Sequence, residues 1–367
     1  MKSSGMALYV HIPFCKTICS YCDFCKFIYN QKFVDGYLKS LFFELSTYDG
    51  KKYKSIYIGG GTPSSLDNNS LNTLLNNLSN RLDDKYKEFT IEANVEDINE
   101  TFLETLVKYK INRLSIGVQS FNDKYIKYCN RHHNKKMAID AINLALRYIN
   151  NVSIDLIYAF EGQTIKEIKE DIDIALSLKI KHISYYSLLV EKGTMLANKN
   201  VENVDDITQA KQYEYIYKRL TGNHFHRYEI SNFARNIKYE SYHNKIYWKA
   251  KHYDAVGGSA SGYIGNTRYT NTKNLSKYIA GDYKKMMTET LTKKDLMFEM
   301  IMLNLRMDIG MDINMFNNKF HADFESLYKD AIDELLKYKL INISEGKIKT
   351  TYKGSLLLND VLERFLD

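Results

Sequence analysis

Proline and tryptophan are nearly missing from this chain: 367 residues hold two prolines, Pro13 and Pro63, and one tryptophan, Trp248. With so few prolines, helices and strands run almost without interruption, and the two that occur mark places where backbone geometry matters. Cysteine is scarce too. Cys15, Cys19, Cys22 and Cys25 fall in one short stretch and Cys129 stands alone, so a disulfide framework is not expected in a chain of this size. No apolar run approaches the roughly 18 residues of a membrane-spanning helix. The segment before Ala7 is too short and polar for a secretion signal, and a cytoplasmic location is expected. A basic block is also missing: the net charge of +7 comes from lysines scattered among Asn, Ile and Tyr, the pattern of a solvated surface rather than a nucleic-acid footprint. A hydrophobic content of 44% with 26% charged residues is that of a globular protein with room for one large domain and a smaller one.

What is present concentrates in residues 9–25. Cys15, Cys19 and Cys22 stand four and three residues apart, so a short loop can bring three thiolates to one face. Three ligands leave one iron of a four-iron cluster open to a small molecule, whereas four cysteines hold an ordinary cluster or a structural zinc. Zinc is the rival reading, because Cys25 forms a second Cys-x-x-Cys with Cys22. A small thiol without a ligand role is the reading adopted for Cys25.

From Ala7 to about Phe233, short β-rich runs alternate with amphipathic helical ones, which predicts a parallel sheet covered by helices. The six strand candidates are Leu8–Ile12, Ser55–Ile58, Phe89–Ala93, Arg113–Val118, Ser153–Tyr158 and His182–Leu188. Helix candidates between them are Phe33–Leu45, Leu71–Leu82, Thr101–Tyr109, Lys135–Tyr148 and Ile165–Leu178. Six such units make a partial (β/α)6 TIM-like barrel, and ligands of these sheets sit at the carboxyl ends of the strands. Strand one ends in the cysteine loop. Strand two ends in Gly59-Gly60-Gly61-Thr62-Pro63, where backbone can approach a ligand closely; neither a P-loop nor G-x-G-x-x-G is present. Glu92 and Asn94, Gln119 and Ser120, and Asp155 follow at the next strand ends. Buried polar groups at successive ends are costly unless something polar binds there.

The run Tyr9-Val10-His11-Ile12-Pro13-Phe14-Cys15 with C-x-x-x-C-x-x-C, the GGGTP of residues 59–63, Ile91-Glu92-Ala93-Asn94, Ser115-Ile116-Gly117-Val118-Gln119-Ser120-Phe121, Arg131 and Asp155-Leu156-Ile157-Tyr158 resemble the radical S-adenosylmethionine enzymes of the oxygen-independent coproporphyrinogen oxidase type, over nearly the whole chain. The resemblance implies a [4Fe-4S] cluster on Cys15, Cys19 and Cys22. It implies S-adenosylmethionine held by Gly59, Gly60, Gly61 and Thr62, with Glu92, Gln119, Arg131 and Asp155 completing the site, Tyr9 covering one side, and Arg131 pairing with a nearby carboxylate. Within this group the oxidase carries an extension before its cluster motif. Cys15 lies almost at the start here, so the haem chaperone branch is expected, without coproporphyrinogen oxidase activity. The oxidase itself is the alternative, and an iron–sulfur regulator of nucleic acid is a third reading. Two departures stand out: Ala159-Phe160-Glu161 replaces the usual Gly-Leu-Pro, and Val95 stands where proline is typical.

The division expected is a radical SAM partial barrel over 1–235 and a smaller α+β domain over 236–367 for haem handling or as a lid, ending in a winged-helix-like segment. In Ser241-Tyr242-His243-Asn244-Lys245-Ile246-Tyr247-Trp248, similarity to the haem-handling motif of the chaperone branch makes His243 the expected axial ligand of haem, with His252, His224 and His226 as other candidates. Gly257–Tyr263 reads as a small-residue loop that lets the barrel's edge or a planar ligand approach. Haem and haem-accepting proteins are the expected partners, with peripheral membrane contact but no nucleic acid.

Overall fold

The computed structural model describes residues 5–283 and 285–366. Six parallel strands run in sequence order through the centre of a nine-stranded sheet: β1 (Gly5–Ile12), β2 (Tyr53–Gly60), β3 (Glu88–Asn94), β4 (Arg113–Gln119), β5 (Asn151–Tyr158) and β6 (His182–Ser187). The helices between them are α1 (Gln31–Ser46), α2 (Asn68–Ser79), α3 (Glu100–Lys108), α4 (Lys135–Tyr148) and α5 (Ile165–Ser177); α6 (Asp206–Thr221) follows β6. Each starts at an Asn, Asp or Thr whose side chain accepts from a first-turn N–H: Asn30, Asp67, Asn99, Asn134, Thr164 and Asp205. Such a cap contributes about 1 kcal/mol and fixes where the helix begins.

Alternation along the strands divides the sheet into two faces. Ile56, Ile58, Phe89, Ile91, Leu114, Ile116, Val152, Ile154 and Ile183 belong to the main hydrophobic core, together with Leu38, Leu74, Leu103 and Ile168 from the helices. The other face is polar: Tyr57, Glu92, Arg113, Ser115, Asp155 and Ser184 line the concave side. The expected partial barrel of the radical SAM type is therefore present, with a lumen of hydroxyls and charges.

After α6 the chain returns to both edges of this sheet. β7 (His226–Glu229) and β8 (Asn232–Ala234) pair antiparallel at the β6 edge. A helix, α7 (Tyr242–Trp248), leads to β9 (Asp254–Val256), which pairs parallel with β1 at the other edge. The glycines after β9 serve packing within the chain. Gly257 (φ 104°) donates its N–H to Glu44 Oε2 at 2.9 Å, and a Cβ there would stand 2.6 Å from the Tyr37 hydroxyl. β10 (Ser261–Ile264), β11 (Thr267–Asn271) and β12 (Lys285–Thr290) form a second antiparallel sheet. Of the segment expected to be a loop, residues 257–260 are loop and Ser261–Tyr263 are strand.

The last part has its own apolar core, built from Met300, Ile301, Phe316, Phe324, Ile332, Ile348 and Val361 among others. It comprises α8 (Lys293–Leu305), β13 (Met311–Asp312), α9 (Ile313–Phe320), α10 (Lys329–Lys337) and the hairpin β14 (Ile341–Ser344) to β15 (Lys347–Thr350). Two short helices follow, Tyr352–Leu356 and Leu358–Glu363, separated at Leu357 (φ −111°, ψ 36°). Arg227 joins this unit to the barrel, with Nε on Asp308 at 2.9 Å and Nη1 on Ser355 Oγ at 2.9 Å.

Candidate active site

The carboxyl ends of the six strands open into one cavity of about 390 Å³, lined by Cys15, Cys19, Cys22, Gly60, Gly61, Thr62, Glu92, Gln119, Arg131 and Asp155. Residues spread over 140 positions of sequence meet there because parallel strands end on the same side of a sheet. The loop after β1 is tied down on several sides. Phe14–Cys15 and Phe27–Ile28 pair as two-residue strands, Lys16 Nζ donates to Asp97 at 2.6 Å, and Asn130 Nδ2 donates to Ile18 O at 2.8 Å.

The three cysteines are free thiols. Cys15 is buried, its Sγ lies 3.5 Å from Thr62 Oγ1, and burial pushes its thiol up to about 11. Cys19 and Cys22 line the same cavity as Cys15. Among the described residues no three His, Cys, Asp or Glu side chains converge closely enough for a single metal ion. A cubane needs less convergence, since each sulfur binds a different iron. Cys25 is not part of the cavity wall; its thiol faces Lys273 O at 3.7 Å. The donor set of three cysteines beside one cavity fits a four-iron cluster.

The glycines work differently from a simple ligand cradle. A Cβ at Gly59 would stand 2.9 Å from the Glu92 carboxyl carbon, at Gly60 (φ 117°) 2.5 Å from the His11 ring, and at Gly61 2.7 Å from the Pro13 carbonyl carbon. Their missing side chains let strand ends and the cysteine loop close on one another, and Gly60 and Gly61 also face the cavity. Gly59 and Tyr9 stand behind the cavity wall. Tyr9 stacks on Tyr57 with centroids 6.3 Å apart, and its hydroxyl lies 3.1 Å from His11 Nδ1.

Glu92 accepts from the Tyr57 hydroxyl at 2.7 Å and from Gly60 N–H at 3.3 Å; burial pushes its carboxyl up to about 7. Asp155 accepts from Ser115 Oγ at 3.1 Å and is also raised by burial. Gln119 sits at a register shift between β4 and β5 in the left-handed region (φ 67°), local strain of the kind that collects at functional sites. Arg131 was expected to pair with a carboxylate. Its Nη1 instead donates to Asn94 Oδ1, and its buried Nε has no partner among the described residues. An unpartnered guanidinium donor and carboxylates with spare acceptor capacity fit the amino acid and ribose of S-adenosylmethionine.

His243 is 0% exposed and lies on α7 against β2. Its Nδ1 is 2.8 Å from Ser55 Oγ and its Nε2 2.7 Å from the Tyr247 hydroxyl. Burial lowers it to about 3, so the ring is neutral. As folded it presents no free nitrogen to an iron, while the next residue, Asn244, faces the cavity. His226 is 2.8 Å from Glu240; His224 and His252 are exposed. Sequence reasoning missed Tyr57, Arg113, Ser115, Ser184, Tyr186 and Asn244 as cavity walls. A signal existed for several: Ser55-x-Tyr57-x-Gly59 and Arg113-x-Ser115-x-Gly117 carry polar or small residues at every second position.

Two parts of the chain match known families: residues 9–175 the Radical SAM superfamily and residues 291–357 the HemN C-terminal domain. "Heme chaperone HemW" of Lactococcus lactis subsp. lactis is 38% identical, covering 100% of this chain and 98% of that protein. The Bacillus subtilis "Heme chaperone HemW" is 35% identical over 100% and 99%. Among solved structures, coproporphyrinogen III oxidase (HemN) from Escherichia coli aligns with a TM-score of 0.85 at 21% identity, covering 100% of this chain and 91% of that one, a likeness of fold. On sequence identity along its full length, the chain belongs to the HemW family of the radical SAM superfamily.

Proposed function

We propose that this chain is a haem chaperone: it binds haem and, with a [4Fe-4S] cluster and S-adenosylmethionine, supports haem insertion into target proteins. The observation that carries this reading is identity of 35–38% with HemW proteins along the whole chain. Cys15, Cys19 and Cys22 would hold the cluster, which supplies one-electron chemistry to S-adenosylmethionine when both are bound. Gly60, Gly61 and Thr62 border the ligand, Arg131 offers donors to its carboxylate, and Glu92 and Asp155 offer acceptors to its ammonium and ribose hydroxyls. The oxidase alternative is less favoured, because its support here is a likeness of fold at 21% identity.

The axial ligand of haem is a histidine in this reading. Ligation by His243 requires the ring to leave Ser55 and Tyr247; exposed His252 and His224 need no such rearrangement. Haem titration followed by the Soret band tests both points. The intact chain is expected to shift the band, and His243→Ala to keep the shift while losing about 2–3 kcal/mol of stability from the stranded Ser55 and Tyr247 hydroxyls. No shift with the intact chain, or turnover of coproporphyrinogen III with S-adenosylmethionine and a reductant, would overturn the chaperone reading. A lost shift in His243→Ala at unchanged stability would return the ligand to His243.

A further inference from the structure

Gln119 and Arg131 converge over Gly117: a Cβ on that glycine would stand 2.8 Å from Gln119 Nε2 and 2.9 Å from Arg131 Nη2. Both nitrogens are donors and both side chains line the cavity, so one acceptor group can meet the two together. The backbone that carries Gln119 is irregular. Val118 is skipped in the register of β4 with β5, and Gln119 follows at φ 67°. The Val118 carbonyl accepts from Ser120 N–H at 2.9 Å, closing a three-residue turn whose positive φ at the centre is rare and strained. Such a turn persists only where its surroundings hold it.

Two buried side chains grip it from opposite sides. Asp171 on α5 accepts from Ser120 Oγ at 2.7 Å and from Phe121 N–H at 2.8 Å. On the other side stands His133, 4% exposed and outside the cavity lining. Its Nε2 lies 3.2 Å from Val118 O. A carbonyl can only accept, so Nε2 carries a proton. Its Nδ1 faces Glu96 Oε1 at 3.4 Å, and the same oxygen accepts the N–H of His132 at 3.1 Å and of His133 at 3.2 Å. Glu96 thereby ties down the chain just after Arg131, whose own Nη1 donates to Asn94 just before Glu96. We propose that His133 is a positioning residue for cofactor binding: from behind the cavity wall it fixes the Val118 carbonyl and so aims Gln119, beside Arg131, at the carboxylate of S-adenosylmethionine. The inference rests on the family's cofactor and deepens the reading of that site, adding a residue that touches no ligand itself.

The test is equilibrium binding of S-adenosylmethionine to cluster-loaded protein, with iron content and thermal midpoint recorded for each variant. His133→Asn is too short to reach Val118 O and is expected to weaken binding about tenfold. His133→Gln, whose amide nitrogen can take the place of Nε2, should stay within about threefold of the intact chain. In a Gln119→Ala background the further loss on His133→Asn should shrink to about twofold or less, because the turn then has no amide to aim. Equal losses in the Asn and Gln variants, or the same loss with and without the Gln119 side chain, overturn the proposal. Should His133→Asn fail to fold or to load its cluster, the intact chain decides. A nitrogen NMR spectrum of its histidine rings, assigned by the signal that His133→Gln removes, is expected to show a protonated Nε2, and a bare Nε2 overturns the donation to Val118. Absence of binding by the intact chain would instead overturn the cofactor reading, and this inference with it.

Discussion

Glu88 and Glu92 lie on the same face of β3, about 13 Å apart along the strand, yet the chain surrounds them differently. Glu88, near the amino end, has its acceptor sites filled by two hydroxyls and the N–H of Tyr242. Glu92, near the carboxyl end, has one hydroxyl and one long N–H contact, faces the cavity, and is pushed up to about 7. The same contrast runs across the lumen. Both nitrogens of His182 and of His243 are occupied by the chain's own groups, whereas Arg131 at the mouth keeps an Nε without a partner among the described residues. Buried polar groups with full partners hold a fold together, and those with spare capacity await a ligand. His243 is of the first kind as folded, and Glu92 keeps spare acceptor capacity beside the cavity.

The largest effect expected is all-or-none. Cys15→Ala, Cys19→Ala or Cys22→Ala should each abolish the anaerobically reconstituted cluster, while Cys25→Ala retains about four irons per chain; iron loss on Cys25→Ala would bring back the four-cysteine reading. Next is the closed end. Glu88→Ala removes the acceptor of Thr90, of Ser241 and of the Tyr242 N–H at the α7 N-terminus, and should cost about 2–4 kcal/mol in urea unfolding. A cost below about 1 kcal/mol would erase the distinction between the two glutamates.

Glu92→Gln should act in the opposite direction. A carboxyl whose folded pKa is raised holds its proton in the folded state between the unfolded value near 4.5 and about 7. Across that window stability falls as pH rises, and the cost is fully present above about 7. Removing the ionisable group should therefore stabilise the cofactor-free protein by about 1 kcal/mol near pH 8, while S-adenosylmethionine affinity drops about tenfold or more. His243 and His11, lowered by burial to about 3 and about 4, have the reverse sign. Their unfolded forms take up protons below about 6.5, so acid destabilises through both buried histidines. Smallest is a change in the loop after β5. Ala159 adopts φ 63° where relatives were expected to carry glycine, and Ala159→Gly should stabilise by about 1 kcal/mol in thermal melts.

Periodicity made the six central strands and five of their helices legible, with ends within a few residues, because alternation of two and 3.6 is a local property of sequence. The cysteine spacing and the polar residues at strand ends were legible for the same reason. Other features depend on contacts between distant residues. That Asp254–Val256 would pair with β1, that Gly59 makes room for Glu92, and that Arg131 would bind Asn94 rather than a carboxylate follow from packing across 30 to 250 positions. Sequence alone determined which polar residues and cysteines stand at the strand ends and on which strand each stands. Tertiary structure decided which are already satisfied: His243 shows a ligand's pattern in the sequence, but hydrogen-bond saturation is set by the neighbours that Ser55 and Tyr247 become only after folding.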